Sequence, residues 1–173
     1  YYGDEIGIPQ ADIPSEQQQD PWGRNVPGEG RDGCRTQMQW TSADGAGFTD
    51  PGTRPWLPLT NDSRTRNVEN QLTGSQSLLN LNRRLLEIRR REPALRIGTY
   101  RTLPADRNVF AYLRQDGQTR MVIALNFSGG RVSWSAATGS GRILVSTELD
   151  REGPVRLEDL ELRPHEGVII RLD

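Results

Sequence analysis

The sequence contains no lysine, and all 22 of its basic residues are arginine. Chemistry that depends on a lysine is thereby excluded: a Schiff base, a lysine general base and a phosphate-binding loop of the P-loop type. Cys34 is the only cysteine and His165 the only histidine. An internal disulfide and a multi-histidine metal site are therefore excluded, and a cysteine-based zinc site is disfavoured. We expect neither a metal nor a cofactor.

Long apolar runs and an excess of charge are also missing. No run approaches the ~18 apolar residues that a membrane span requires, and 22 basic residues face 23 acidic ones for a net charge of −1. This balance argues against nucleic acid or an anionic membrane as a partner. The chain opens on two tyrosines, without an initiator methionine or a signal-peptide pattern. We expect a piece of a longer, cytoplasmic protein.

Glycine and proline are concentrated in the first part of the chain. Residues 1–70 hold 9 glycines and 7 prolines, against 9 and 4 in residues 71–173, and neither helical nor strand periodicity runs far through that stretch. Its large apolar residues, such as Trp22 and Trp56, need a surface to pack on, which argues against disorder. We predict an ordered, irregular excursion that lies on a scaffold.

The sequence predicts a helix over residues 75–91. Apolar residues recur at three- to four-residue spacing from Leu78 to Ile88, which is the period of an amphipathic helix. Ser75 and Ser77 offer N-cap hydroxyls, arginines fill the last turns, and Pro93 ends the helix.

From Gly98 onward the pattern becomes that of short strands. Asp116 and Gly117 form a hairpin turn signal between two of them. Strands are predicted at 99–103, 109–114, 120–126, 132–135, 142–146, 155–157 and 168–172, with further turns at 128–130 and 139–141. Short strands at this spacing predict a small antiparallel sandwich.

Two strings carry candidate functional residues. Asp4 and Glu5 would point to opposite faces if they continue a strand, so they do not form a two-carboxylate glycosidase pair by themselves. The string 30–40 combines Arg31, Asp32 and Arg35 with two amides and an indole. These side chains can bind a polyhydroxylated ligand. Alternatively, the string can be a salt-bridged loop with a core tryptophan. The residues alone leave both interpretations open.

A series of strings occurs in a fixed order along nearly the whole chain: 2–7, 19–21, 30–40, 46–49, 55–58, 67–68, 77–89, 93–100, 109–112 and 125–128. In this order they resemble the C-terminal third of an α-glucosidase of glycoside hydrolase family 13, the α-amylase family, and are similar to the oligo-1,6-glucosidases. A long ordered series is a far more specific signal than one short motif.

The resemblance implies an α+β fragment. Residues 1–92 would be the end of a (β/α)8 barrel: the end of the eighth strand at 1–7, a long loop at 8–74, and the last barrel helix. Residues 93–173 would be a C-terminal antiparallel β-sandwich domain. The loop would lie at the C-terminal face of the barrel, where such enzymes keep their sites.

The resemblance also implies an activity, cleavage of terminal α-glucosidic bonds with retention. Similar enzymes use an aspartate nucleophile, a glutamate acid/base and a further aspartate, all on upstream strands that this chain does not contain. We therefore expect no catalytic residue here, and an oligosaccharide substrate bound through the upstream barrel. Arg35 matches the family's sugar-contacting arginine and would hold hydroxyls and carboxylates by forked hydrogen bonds. Arg31 and Asp32 would support the loop.

One position departs from the family pattern, and alternatives to a hydrolase remain. Gln37 stands where the family has proline, which frees the backbone two residues from Arg35. From a different class, the chain could be a free-standing β-sandwich module that binds carbohydrate or another protein. Within the family, trehalose synthase and sucrose isomerase share much of this pattern.

Overall fold

The chain divides into two units, Tyr1–Asn82 and Arg83–Asp173. The structure is a computed structural model that describes residue 1, residues 3–135 and residues 138–173, so Tyr2, which begins the first family-like string, lies outside the described residues. The division falls inside the region predicted as a helix. The domain boundary inferred from the sequence, between residues 92 and 93, stays a prediction.

The first unit consists of loops and short helices, as expected for an irregular stretch, although its two short α-helices were not predicted from the sequence. They are α1, Pro21–Asn25, and α2, Val68–Thr73, and 3-10 turns form at Asp4–Ile6, Ser15–Gln17, Asp32–Cys34 and Asp44–Gly47. Each α-helix begins with a side-chain cap: Asp20 accepts from Trp22 N and Asn67 accepts from Asn70 N. Such caps satisfy backbone donors that the first helical turn leaves free.

Asp4 and Glu5 do not continue a strand. Both residues lie in the 3-10 turn Asp4–Ile6, which follows Gly3 at φ 94°. Glu5 turns back to accept a hydrogen bond of 2.7 Å from Gly3 N. A left-handed residue before the turn favours glycine, and this sharp reversal is incompatible with a continuing strand.

The predicted long helix is confirmed as α3, Leu78–Arg91. It starts three residues later than predicted because Ser77 is the cap: its hydroxyl accepts from Asn80 N at 3.2 Å. Arginines occupy the last turn, where positive charge favours the helix dipole. Among the described residues, no helix has the length and apolarity that crossing a membrane requires.

The second unit is built around antiparallel strands. They are β1 (Thr99–Thr102), β2 (Val109–Asp116), β3 (Thr119–Asn126), β4 (Val132–Trp134), β5 (Ser140–Ser146), β6 (Gly153–Arg156), β7 (Leu160–Leu162) and β8 (Gly167–Leu172). Six form one sheet in the order β1-β2-β3-β8-β5-β6, and β4 pairs with β7. The predicted hairpin between β2 and β3 is confirmed, with Gly117 at φ 56°.

Two sequence expectations about this unit need correction. The strand β7 was not predicted: it is a strand by virtue of its pairing with β4, which lies far from it in sequence. The predicted turn at 139–141 is wrong at Ser140 and Gly141, which belong to β5. A Cβ on Gly141 would lie 2.5 Å from the carbonyl oxygen of Arg171. Glycine is thus required there by the close approach of β8, and not by a turn.

The core of the second unit joins both sheets. Trp134 of β4 is buried and donates its indole N–H to Pro104 O at 2.9 Å. It belongs to one apolar cluster with the inward-facing residues of the six-stranded sheet, including Ala111, Leu113, Val122, Ala124, Val168 and Ile170. The structure therefore combines helices with an antiparallel sheet.

Candidate substrate-binding site

Arg35 lies directly after the 3-10 turn Asp32–Cys34. Its backbone N–H closes that turn by donating to Asp32 O at 2.9 Å, and its side chain is partly buried. The guanidinium makes no hydrogen bond or ion pair with any other described residue. A guanidinium carries five donors in a planar fork, so Arg35 has its full capacity available for sugar hydroxyls or carboxylates.

Arg31, by contrast, is bound to Asp20. Its Nε donates to Asp20 Oδ2 at 2.8 Å and its Nη2 to Asp20 Oδ1 at 2.9 Å, while its backbone N–H reaches the same Oδ2 at 2.9 Å. The hydrogen bonds from Arg31 hold the pKa of Asp20 far below its usual range. Because Asp20 also caps α1, this pair joins the start of that helix to the Arg35 loop.

Asp32 fixes the same junction from the other side. Its Oδ2 accepts from the backbone N–H groups of Gln19 at 2.6 Å and Asp20 at 2.9 Å, and the residue is 3% exposed. The next residue, Gly33, packs against the backbone of Ala11, since a Cβ at position 33 would lie 2.5 Å from Ala11 O. The loop around Arg35 is thus held by buried polar contacts, which limits the positions that its guanidinium can reach.

A second polar chain follows Arg35. The side-chain amide of Gln39 donates to the hydroxyl of Thr60, which donates to Asp62 Oδ1 at 2.6 Å, and Arg66 Nε donates to Asp62 Oδ2 at 2.6 Å. Burial raises the pKa of Asp62, but the hydrogen bonds from Thr60 and Arg66 outweigh it, so the net pKa lies below the usual value. This chain connects the segment after Arg35 to the loop 60–66.

Gln37 has no comparable partner. The residue is 4% exposed, and its Oε1 is buried without a hydrogen bond from any residue in the described ranges. A buried amide oxygen that lacks a donor costs free energy. Gln37 stands where the family pattern has proline, which has no side-chain amide. The unsatisfied amide oxygen therefore lies at the one position that departs from the pattern.

A small cavity of about 170 Å³ lies beside Arg35. Its wall includes both sequence neighbours of Arg35, namely Cys34 and Thr36, together with Asp4 and Gln10. Asp4 is the one carboxylate in this wall. Within the described residues no three side chains of the types histidine, cysteine, aspartate or glutamate are close enough to hold a metal ion. The arrangement can hold a polar ligand.

Two residues that hold this site, Asp20 and Thr60, were not predicted from the sequence. Asp20 could have been identified as the start of a helix, because an aspartate directly before a proline is an N-cap signal. Thr60 could not have been identified, because no residue near it in sequence indicates that it contacts Gln39, 21 residues away.

Comparisons with known proteins bear on this stretch directly. A family model described as the alpha-amylase catalytic domain matches residues 1–98. A trehalose-6-phosphate hydrolase of Bacillus subtilis is 31% identical over 149 residues, which cover 82% of this chain and 26% of that protein. A probable oligo-1,6-glucosidase of the same organism is 32% identical over 152 residues, covering 87% and 27%.

Solved structures are similar over the whole chain. The crystal structure of the alpha-glucosyl transfer enzyme XgtA has a TM-score of 0.82 and 30% identity and covers 100% of this chain and 32% of that one. The trehalulose synthase MutB from Pseudomonas mesoacidophila has a TM-score of 0.83 at 23% identity, with 99% and 34% covered, which shows a shared fold. The chain spans about a quarter of the length of the curated relatives that it matches.

Proposed function

Because the chain belongs to the alpha-amylase family, we propose that it is the C-terminal part of a retaining hydrolase of short α-glucosides with α-1,4 or α-1,6 linkages. The hydrolase and the glucosidase of Bacillus subtilis described above support this, since both exceed 30% identity over most of the chain. A location in the cytoplasm stays a prediction from the sequence.

The architecture is part of the proposal. We assign residues 1–92 to the end of a (β/α)8 barrel and residues 93–173 to a C-terminal antiparallel β-sandwich domain. The catalytic-domain model supports this division, because its match ends at residue 98, soon after α3. The paired strands β4 and β7, which share a core with the six-stranded sheet, support a two-layered β domain.

The observation that carries the proposed function is the guanidinium of Arg35, which has no partner among the residues that the structure describes. It stands on a turn held by Asp20, Arg31 and Asp32, within the stretch that the catalytic-domain model matches. We assign Arg35 to holding the glucose at the cleavage subsite, and Arg31 and Asp32 to supporting the loop. Charge-assisted forked hydrogen bonds are strong and directional, so they favour one orientation of the sugar.

An activity assay tests the proposal. The chain alone should not hydrolyse p-nitrophenyl α-glucoside, because a loop arginine cannot replace a nucleophile or a proton donor. The same chain with its native upstream segment should hydrolyse it with retention at the anomeric carbon. Turnover by the chain alone that is abolished by a substitution within residues 1–173 would refute the assignment.

A free-standing β-sandwich binding module is the second candidate. It is favoured by the second unit, whose apolar core lies entirely within its own residues. The coding sequence upstream of residue 1 separates the two, since the module requires no long upstream reading frame. Within the family, the product formed from sucrose or maltose distinguishes hydrolysis from glucosyl transfer or isomerisation.

A further inference from the structure

Arg35 is followed directly by a short buried segment, residues 36–39. All four residues of this segment are buried. Gln39 is the only one of them whose side chain forms a hydrogen bond with another residue in the described part of the chain, and its partner is Thr60. Four residues span at most about 14 Å when fully extended. An anchor at Gln39 therefore restricts the positions that Arg35 can occupy.

A carboxylate fixes the chain on each side of Arg35. On the N-terminal side, Asp32 accepts from two backbone N–H groups, at 2.6 and 2.9 Å. On the C-terminal side, Asp62 Oδ1 accepts from the hydroxyl of Thr60 at 2.6 Å. That hydroxyl accepts in turn from Gln39 Nε2. The Thr60 hydroxyl is therefore the link between the second carboxylate and the segment that follows Arg35.

The charge of Asp62 sets the direction of this link. Burial raises the pKa of Asp62, but the hydrogen bonds from Thr60 and Arg66 lower it further, to below its usual value. At neutral pH the carboxylate can therefore only accept, so the single hydroxyl proton of Thr60 is committed to it. A lone pair of that hydroxyl remains for the amide of Gln39, which must present its N–H₂ group. The link thus selects one orientation of a fully buried amide.

We infer that Thr60 is a positioning residue: through Gln39 it holds the buried segment 36–39, and thereby places the guanidinium of Arg35 for contact with the sugar. Thr60 itself contacts no substrate in this assignment. A binding group that is misplaced by about 1 Å can cost a large factor in rate, so loss of the Thr60 hydroxyl reduces turnover without removing any group that binds the sugar. The inference rests on the proposed function, because it requires a sugar bound by Arg35.

Substitutions of Thr60 in the full-length enzyme test this role. Thr60→Val keeps the shape of the side chain but loses the hydroxyl, and it should lower kcat/KM for p-nitrophenyl α-glucoside by about 10-fold. Thr60→Ser keeps the hydroxyl and should have a kcat/KM close to that of the wild type. Thr53→Val makes the same change at an exposed threonine of the first unit and is the matched control. A Thr60→Val enzyme with the kcat/KM of this control would overturn the inference.

A double-mutant cycle with Arg35→Ala separates positioning from a general effect on the fold. If Thr60 acts through Arg35, Thr60→Val should have little further effect on kcat/KM once the guanidinium is absent. If Thr60 only stabilises the fold, Thr60→Val lowers kcat/KM by the same factor with or without Arg35, and the inference is wrong. Should Thr60→Val fail to fold, Asp62→Asn takes its place in the cycle with the same expectation, because it keeps the hydroxyl but removes the charge that orients it.

The outcomes distinguish this role from the proposed function. If Arg35→Ala lowers kcat/KM and the effect of Thr60→Val is the same in both backgrounds, the assignment of Thr60 is wrong and the proposed function stands. If the wild-type enzyme hydrolyses no α-glucoside, or Arg35→Ala retains the kcat/KM of the wild type, the proposed function of this loop is wrong and the assignment of Thr60 falls with it.

Discussion

Arg31 and Asp20 form a forked pair, with Nε to Oδ2 at 2.8 Å and Nη2 to Oδ1 at 2.9 Å. The carboxylate of this pair is almost completely buried, with its side chain 1% exposed. Arg35, four residues further on, has no such partner among the described residues. The two arginines of this loop therefore differ in their free hydrogen-bond donors. The guanidinium of Arg31 is engaged by Asp20 and holds the loop, whereas that of Arg35 is available to a ligand.

This difference predicts the outcome of two substitutions in the full-length enzyme. Arg35→Ala should lower kcat/KM for an α-glucoside by about 30- to 1000-fold, because a forked contact that tightens in the transition state is lost. Arg35→Lys should recover little, since an ammonium keeps the charge but not the planar fork. Arg31→Ala should instead lower Tm and leave turnover near normal in the folded fraction.

Both kcat/KM and Tm need to be measured for each arginine variant. Near wild-type kcat/KM in Arg35→Ala would mean that this loop is structural. A kcat/KM loss in Arg31→Ala as large as that in Arg35→Ala, at unchanged Tm, would mean that the roles of the two residues are reversed.

Asp20 should matter for stability in two separable ways. Asp20→Asn keeps an N-cap acceptor for α1 but loses the charge and one arm of the fork to Arg31. Asp20→Ala loses all of these contacts. We therefore expect Tm to fall in the order wild type, Asp20→Asn, Asp20→Ala, with Asp106→Asn, at an exposed position, close to wild type. Equal Tm values for both Asp20 variants would show that only the charge is important.

Gln37→Pro should stabilise the protein. The substitution removes the buried Oε1 that has no donor, and proline reduces the conformational freedom of the unfolded chain. Together these effects should raise the free energy of unfolding by about 1–2 kcal/mol, as measured by urea denaturation.

Gln37→Ala separates the two contributions to that gain, because it removes the amide without adding proline. A Gln37→Pro variant less stable than wild type would show that the backbone at residue 37 cannot adopt the proline φ or needs its N–H.

Acid should destabilise the second unit through Asp150. Arg163 donates to both oxygens of this carboxylate at 2.7 Å, and these hydrogen bonds lower the pKa of Asp150 to about 2. An aspartate in an unfolded chain has a pKa of about 3.9. The stabilisation is therefore fully present above pH ~4 and is lost as the pH falls towards 2.

Urea midpoints measured between pH 6 and 2 check this expectation. Asp150→Asn should be less stable than wild type near neutral pH, and the difference should shrink below pH 4. Glu166 also contacts Arg163, at 2.8 Å, and its contribution remains in both proteins. A difference that is independent of pH would refute the role of the Asp150 charge.

The β domain should fold without the first stretch. Residues 93–173 contain the alternating strands and the shared apolar cluster, whereas residues 1–74 present no periodic apolar face. Limited proteolysis of the chain should remove the N-terminal stretch and leave a fragment that starts near residue 75 or 93. Equal protection of residues 8–70 would contradict this expectation.

Local pattern was sufficient wherever a segment's structure depends on its own residues. The spacing from Leu78 to Ile88 and the hydroxyl of Ser77 specify α3, because helical hydrogen bonds join residues close in sequence. Asp116 and Gly117 specify the hairpin of β2 and β3 for the same reason. The string around Arg35 was likewise recognisable from sequence, since the resemblance depends on residue order alone.

Tertiary structure decided the contacts between residues that lie far apart in an aperiodic stretch. Nothing in the sequence places Asp20 against Arg31 or Gln39 against Thr60, because a loop path without repeating hydrogen bonds follows no period that can be extrapolated. The strand at 160–162 and the strand role of Gly141 also depend on partners, namely β4 and β8. The sequence by itself thus determined the family, the long helix and most strands, while the frame around Arg35 exists only because the folded chain brings distant loops together.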